Sequence, residues 1–60
     1  MTEFEREELI AYLRRKIDAA DLNAAKPDQP EEMRLAFTRC GIRDQRELNL
    51  LLAERLKEQQ

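Results

Sequence analysis

The sequence predicts an all-α protein, a small three-helix bundle with helices at about residues 3–24, 30–40 and 45–58. Residues that favour strands are scarce: valine is absent and threonine occurs only at Thr2 and Thr38, while leucine, alanine, glutamate and arginine dominate. Three residue pairs with the spacing of a capping box each precede a stripe of apolar residues with helical period. The agreement between these two signals predicts three helices.

Thr2 and Glu5 mark the start of the first helix, because the hydroxyl and carboxylate of such a pair satisfy unpaired backbone N–H groups. At about 100° per residue, the apolar residues that follow fall on one face: Leu9, Ile10, Leu13, Ile17 and Ala20. Pro27 disfavours helical backbone in the residue before it, so this helix is expected to end near residues 22–25.

The second helix is expected to begin at a second capping box, formed by Asp28 and Glu31, with Pro30 in the first turn. Its apolar stripe consists of Met33, Ala36, Phe37 and Cys40. Gly41 is expected to end this helix, because the residue after a helix C-terminus often needs a positive φ.

Asp44 and Glu47 form a third capping box, which predicts the start of the last helix. Leu48, Leu51, Leu52 and Leu56 are its apolar stripe, and the polar end "KEQQ" is expected to fray. A short connection favours an antiparallel or corner-type hairpin of the second and third helices. The predicted core of the bundle is Leu9, Leu13, Ile17, Met33, Phe37, Ile42, Leu48, Leu52 and Leu56. An alternative keeps the first helix long and pairs it with a second chain.

The length of 60 residues predicts a single helical domain, residues 1–60, with a small core. Such a chain buries only about 60% of its unfolded surface, so folding alone is marginal. One cysteine cannot close an intrachain disulfide, and without histidine a Cys/His zinc site is excluded. Tight helix packing or self-association must supply the remaining stability, and we expect a homodimer without metal or cofactor.

The charge pattern is typical of a soluble protein, with a net charge of -2 and 40% charged residues. No apolar run approaches the roughly 20 residues that a membrane span needs. The acidic start "MTEFEREEL" lacks the apolar segment of a secretory signal, and a lone thiol suits a reducing compartment. We therefore expect a complete small cytoplasmic protein of bacterial or phage origin that does not bind a membrane.

The residue types argue against catalysis. The chain has no histidine, no serine and one glycine, which rules out common nucleophile–base pairs and glycine-rich phosphate loops. Adjacent acids such as Glu7 and Glu8 point about 100° apart on a helix and are typical of a solvated surface. Cys40 lies on the predicted apolar stripe, so we interpret it as a small buried hydrophobic residue rather than a redox site.

The segment at residues 34–46 carries a local charge of +3, whereas residues 3–8 carry -3. Its predicted turn at "GIRD", followed by Gln45, Arg46 and Asn49, is compatible with a helix-turn-helix nucleic-acid-binding regulator. Asp44 and Glu47 would face phosphates, and the net charge is negative, so nucleic acid is the less favoured partner. The opposite charges could equally pair within the chain or orient a protein partner.

Several apolar residues fall off the predicted stripes and could form a contact surface, although burial on more than one side of a bundle would also account for them. We therefore predict a non-enzymatic adaptor, inhibitor or regulator that binds a protein through an apolar helical face with an arginine rim. The expected partner-binding residues are Phe4, Tyr12, Leu35, Arg39, Arg43, Arg46 and Leu50. A structural subunit of a larger complex is a third possibility.

Overall fold

The computed structural model describes residues 1–59 and contains two helices, α1 (Glu3–Ala24) and α2 (Glu31–Glu58), joined by a loop at residues 25–30. The chain is a helical hairpin, so the prediction of a three-helix bundle is wrong. The all-α class is confirmed, and so are the bounds of the first helix.

The N-terminus of α1 is closed by the predicted capping box. The Glu5 backbone N–H donates to Thr2 Oγ1 at 3.1 Å, and the Thr2 N–H donates to Glu5 Oε1 at 3.2 Å. At the other end the N–H of Ala25 donates to the Asp21 carbonyl at 3.1 Å, and the chain leaves the helix ahead of Pro27. Local sequence signals therefore define both ends of α1.

The start of α2 differs from the prediction, because Asp28 and Glu31 do not form a capping box. Pro30 is the N-cap residue and makes no side-chain capping hydrogen bond. Its carbonyl accepts the N–H groups of Met33 at 3.0 Å and Arg34 at 3.1 Å. Proline brings a fixed φ to this position without presenting an unpaired N–H group.

α2 runs unbroken through residues 41–44, where a turn was expected. Gly41 does not have a positive φ, so it does not end a helix, and Asp44 and Glu47 do not cap one. One glycine inside a helix costs about 1 kcal/mol relative to alanine. The packing of the second half of α2 against α1 exceeds that cost, because the buried side of α2 continues through Gly41 and Asp44 to Leu48 and Leu51.

The two helices are antiparallel and meet along a single seam. On α1 the seam contains Arg6, Ile10, Leu13, Ile17 and Ala20, and on α2 it contains Gly41, Asp44, Leu48, Leu51, Arg55 and Glu58. Both series alternate steps of three and four residues, which is the spacing of a coiled-coil seam. At Gly41 a Cβ atom would lie 3.7 Å from Ala20 Cβ, which shows that the small residues of the two helices face each other.

The core is one small cluster of Ile10, Leu13, Leu48 and Leu51, flanked by the half-buried Leu9, Ile17 and Leu52. Burial of Leu13 and Leu48 is as predicted. Met33, Ile42 and Leu56 were wrongly placed in the core, and about half or more of each side chain is exposed. Cys40 is also exposed rather than buried. With two helices instead of three, each helix is covered on one side only.

Ion pairs close the open end of the seam. Arg6 Nη1 lies 2.7 Å from Glu58 Oε2, and Arg55 Nη1 lies 3.0 Å from Glu7 Oε2. The hairpin measures 45 × 15 × 14 Å, in keeping with the 28-residue length of α2 at 1.5 Å per residue. Within residues 1–59, neither helix is long and apolar enough to cross a membrane.

Candidate interaction surface

The residues predicted to bind a partner are all exposed, but they lie on different sides of the hairpin. Phe4 and Tyr12 belong to α1, whereas Leu35, Leu50 and the three arginines belong to α2. The exposed fraction is 74% for Phe4 and 68% for Leu50, and it is 50% for both Tyr12 and Leu35. The exposure agrees with the prediction, and the proposed role of these residues in binding stays a prediction.

The two aromatic residues of α1 differ in their placement. Tyr12 lies on one flank of α1, where Lys16 Nζ is 5.4 Å from the centroid of its ring, a cation–π distance. Phe4 projects from the side of α1 that faces away from the seam, as its angular position about 160° from the seam residues requires. Phe4 therefore faces away from α2.

One side of α2 that faces away from α1 is basic, and we call it the basic ridge. Its members recur at steps of three and four residues: Arg39, Arg43, Arg46, Leu50, Ala53 and Lys57. All six are exposed. The ridge carries four cations and no acid, and Leu50 lies within it, with Glu47 and Glu54 as its acidic neighbours on the adjoining turns. Arg39, Arg43 and Arg46 thus share one side of α2, and their role as an arginine rim stays a prediction.

Beside the basic ridge runs a second outward-facing series, which we call the charge-free stripe. It alternates steps of three and four residues along most of α2 and consists of Leu35, Thr38, Ile42, Gln45, Asn49, Leu52 and Leu56. Only Leu52 is partly covered; the other six residues are exposed. No member is charged, although 40% of the residues in the chain are. A continuous uncharged series of this spacing has the pattern of a second coiled-coil seam.

Two members of the charge-free stripe are amides near its middle. Gln45 Nε2 donates to Asn49 Oδ1 at 2.9 Å. Each amide has further hydrogen-bonding capacity, because an amide side chain offers two N–H donors and a carbonyl acceptor with two lone pairs. The stripe therefore has apolar ends and a hydrogen-bonding centre.

The carboxylate of Asp44 is buried within the seam, and its burial was not predicted from the sequence. Asp44 is only 2% exposed, and Lys16 Nζ lies 3.4 Å from its Oδ2 and 3.5 Å from its Oδ1. Arg43 Nε is 3.7 Å from Oδ1, and the buried Oδ2 accepts no hydrogen bond from any residue that the structure describes. The three-four spacing of the seam residues was the available signal, since position 44 follows 37 and 41 and precedes 48.

Within residues 1–59, the pKa values of Glu5 and Arg6 are shifted, and both shifts belong to the ends of the helices rather than to a reactive centre. The hydrogen bonds from Thr2 lower the pKa of Glu5 below its ordinary value of 4.5. The hydrogen bond to Glu58 raises the pKa of Arg6, which keeps this guanidinium charged. Arg6 Nε is nevertheless buried without a hydrogen-bond partner among residues 1–59. These shifts indicate structural roles in capping and in closing the seam.

The open clefts of the surface are shallow and border the seam or the outer side of α2. One cleft is lined by Leu50, Ala53, Glu54, Leu56 and Lys57, where the basic ridge meets the charge-free stripe. The part of the chain that the structure describes has no group of three or more Asp, Glu, Cys or His residues placed to hold a metal ion. The exposed leucines Leu50 and Leu56 thus border an open cleft on the outer side of α2.

Sequence reasoning missed the contribution of Ile42 and Leu56 to this surface, because both were assigned to a core that a third helix would have completed. Comparison with protein-family models, curated proteins and solved structures finds no significant match to this chain.

Proposed function

We propose that this protein is a non-enzymatic protein-interaction module that acts through the outer side of α2. The observation that carries the proposal is the exposure of large apolar residues there: Leu50 at 68%, Leu56 at 59%, and Ile42 and Leu35 at about half. Such side chains are enriched at contact surfaces when they are contiguous and bordered by polar residues. The basic ridge supplies that polar border.

The proposed division of roles follows the chemistry of the two neighbouring series. Burial of leucine and isoleucine side chains supplies affinity, at about 25 cal/mol for each Å² of apolar surface removed from water. Arg39, Arg43 and Arg46 orient the partner and favour one with acidic groups at the rim of its contact surface. Phe4 and Tyr12 are separate candidate contacts, because they belong to α1.

The nucleic-acid hypothesis has lost the feature that favoured it. It relied on a turn at residues 41–44 that would present Gln45, Arg46 and Asn49 at the start of a recognition helix. α2 is continuous there, and only the cations of the basic ridge remain in its favour. We do not carry it forward as a second function.

The test compares two double variants. Each replaces one exposed leucine and one arginine by glutamine, on α2 in the first variant and on α1 in the second. Leu50→Gln with Arg46→Gln alters the basic ridge, and Leu22→Gln with Arg15→Gln alters the outer side of α1, where Leu22 is 66% exposed. Glutamine is a good helix former and should leave both helices intact. The measurement is crosslinked affinity capture from source-cell lysate, quantified by mass spectrometry.

We expect the α2 variant to capture at least about tenfold less partner protein than the wild type does. Removal of hot-spot residues commonly costs about 1 to 2 kcal/mol or more of binding free energy. The α1 variant should capture as much as the wild type. Equal capture by both variants, or equal loss in both, would contradict the assignment of the contact surface to α2.

A further inference from the structure

The hairpin exposes more surface than a compact chain of its mass. Its accessible area is 4907 Å² for 7.1 kDa, whereas a compact folded monomer of this mass exposes about 4,100 Å². The excess is about 800 Å², which is the area that each partner buries in a protein–protein interface of standard size. One such contact would bring the exposed area of this chain to the value typical of a compact fold.

The charge-free stripe has the shape that such a contact needs. It extends from Leu35 to Leu56, about 32 Å at 1.5 Å per residue, so it covers most of the length of α2. Its three-four spacing lets it pack along another helix of the same spacing as knobs into holes. The seam with α1 leaves it free, since six of its seven residues are exposed.

The absence of charge indicates which helix can occupy the stripe. A two-fold symmetric contact places the same patch of both copies face to face, so a charged residue in the patch approaches its own copy. Like charges held together in this way are destabilising, and a stripe without charges avoids this cost. A partner of opposite charge would instead be matched by charged residues within the contact, and those lie on the neighbouring basic ridge.

We infer that the charge-free stripe is the site at which a second copy of this chain docks, helix α2 against helix α2, across a two-fold axis. Leu35, Ile42, Leu52 and Leu56 are buried by their counterparts, and Gln45 and Asn49 pair with the amides of the other copy. Amides at the centre of a seam with apolar residues on both sides fix the register and the number of chains, as asparagine does in coiled coils. The inference rests on the proposed function, since it names the partner of one part of the α2 surface.

The experiment uses opposite charges at one position of the stripe. Gln45→Glu and Gln45→Lys each place like charges near the two-fold axis, while an equimolar mixture of the two variants places opposite charges there. Ala11→Glu and Ala11→Lys are the matched controls, because Ala11 is exposed on the outer side of α1. Mass is measured by light scattering and sedimentation equilibrium from about 1 μM to about 1 mM chain, and native mass spectrometry counts mixed dimers.

We expect the wild-type mass to rise toward twice 7.1 kDa with concentration. Each Gln45 variant alone should dissociate at least about tenfold more readily, a change of 1.4 kcal/mol. Their mixture should recover the dimer, with mixed dimers in excess of the statistical half. The Ala11 variants, alone or mixed, should behave as the wild type does.

Three results would overturn the inference: a wild-type mass of 7.1 kDa at every concentration, Gln45 variants that associate as the wild type does, or no excess of mixed dimers. These results would leave the proposed function standing if partner capture still depends on the basic ridge. Loss of that dependence, with the dimer intact, would contradict the proposed function alone.

Discussion

Gly41 makes α2 less stable than alanine would, although the backbone conformation at this position does not require glycine. Its φ is not positive, and it lies in the middle of α2 facing Ala20. A Cβ atom placed there would be 3.7 Å from Ala20 Cβ and 3.7 Å from Asp21 Oδ1, which is ordinary van der Waals contact. The sequence suggested a helix end at this glycine, but the seam requires only a small residue.

Gly41→Ala is therefore expected to stabilise the hairpin by about 1 kcal/mol, the difference in helix propensity between the two residues. Urea denaturation at fixed chain concentration measures the change in the free energy of unfolding. Ala53→Gly, at an exposed position of the same helix, is the reciprocal control and should destabilise by a similar amount. A less stable Gly41→Ala variant would show that the helices cannot accommodate a methyl group at this crossing.

Asp44 was expected to cap the start of a helix, but in the structure it is a buried residue of the seam. Its carboxylate is buried, one of its oxygens accepts no hydrogen bond within residues 1–59, and its ammonium partner on Lys16 is 3.4 Å away. Removing a carboxylate from water is costly, and an ion pair of this length offsets only part of that cost. The Lys16 side chain is 38% exposed, so it can return to water if the carboxylate is removed.

We expect Asp44→Leu to stabilise the hairpin by about 1 kcal/mol or more, because apolar replacements of buried ion pairs are often neutral or stabilising. A cleft bordered by Ala19, Phe37 and Cys40 gives the larger side chain room. Lys16→Met should instead destabilise by about 1 to 3 kcal/mol, since it leaves the buried carboxylate with only the exposed Arg43, whose Nε lies 3.7 Å from Oδ1. Thermal unfolding measures the stability of both variants relative to the wild type. Destabilisation by Asp44→Leu would mean that the ion pair itself stabilises the hairpin.

The stabilisation that the capping box gives to the N-terminus of α1 depends on pH. The hydrogen bonds from Thr2 lower the pKa of Glu5, so the folded state holds this proton less tightly than the unfolded chain does. The resulting stabilisation is complete above the ordinary pKa of 4.5 and is lost as the pH falls through the lowered value. The capping box should therefore weaken in acid.

Glu5→Gln isolates this effect, because glutamine can also complete a capping box but does not titrate. We expect the wild type to lose more stability than Glu5→Gln as the pH falls below 4.5. Above that pH, the free energies of unfolding of the two proteins should differ by a constant amount. Urea denaturation as a function of pH gives the comparison. Parallel pH profiles for the two proteins would show that the Thr2–Glu5 contact does not form in solution.

The elements themselves were predictable to different degrees. The start and end of α1 follow from Thr2, Glu5 and Pro27, which act through local backbone chemistry. The break at residues 41–44 was wrong, because the capping-box spacing of Asp44 and Glu47 also arises readily in a chain with 40% charged residues. The seam decides between the two readings, and its three-four spacing continues through both Gly41 and Asp44.

At the scale of the whole molecule, the number of helices determines which apolar residues are covered. Leu35 and Leu50 were correctly expected to be exposed, since they lie off every predicted stripe. Ile42 and Leu56 were not, because a third helix would have packed against them. Local patterns assign a residue to a side of its helix, but only the tertiary arrangement determines whether that side meets protein or water.

The antiparallel course of the hairpin brings both chain ends to the same pole, where Arg6 meets Glu58. A pulling force applied between the two termini would therefore separate the helices one layer at a time, starting with that ion pair and the contact of Arg55 with Glu7. Partly exposed ion pairs contribute little stability, so they yield first, and the resistance comes from Ile10 and Leu51 behind them. Attached at both ends, this protein would open gradually under small tension, whereas a pull along the helix axes from opposite poles would have to shear the whole seam at once.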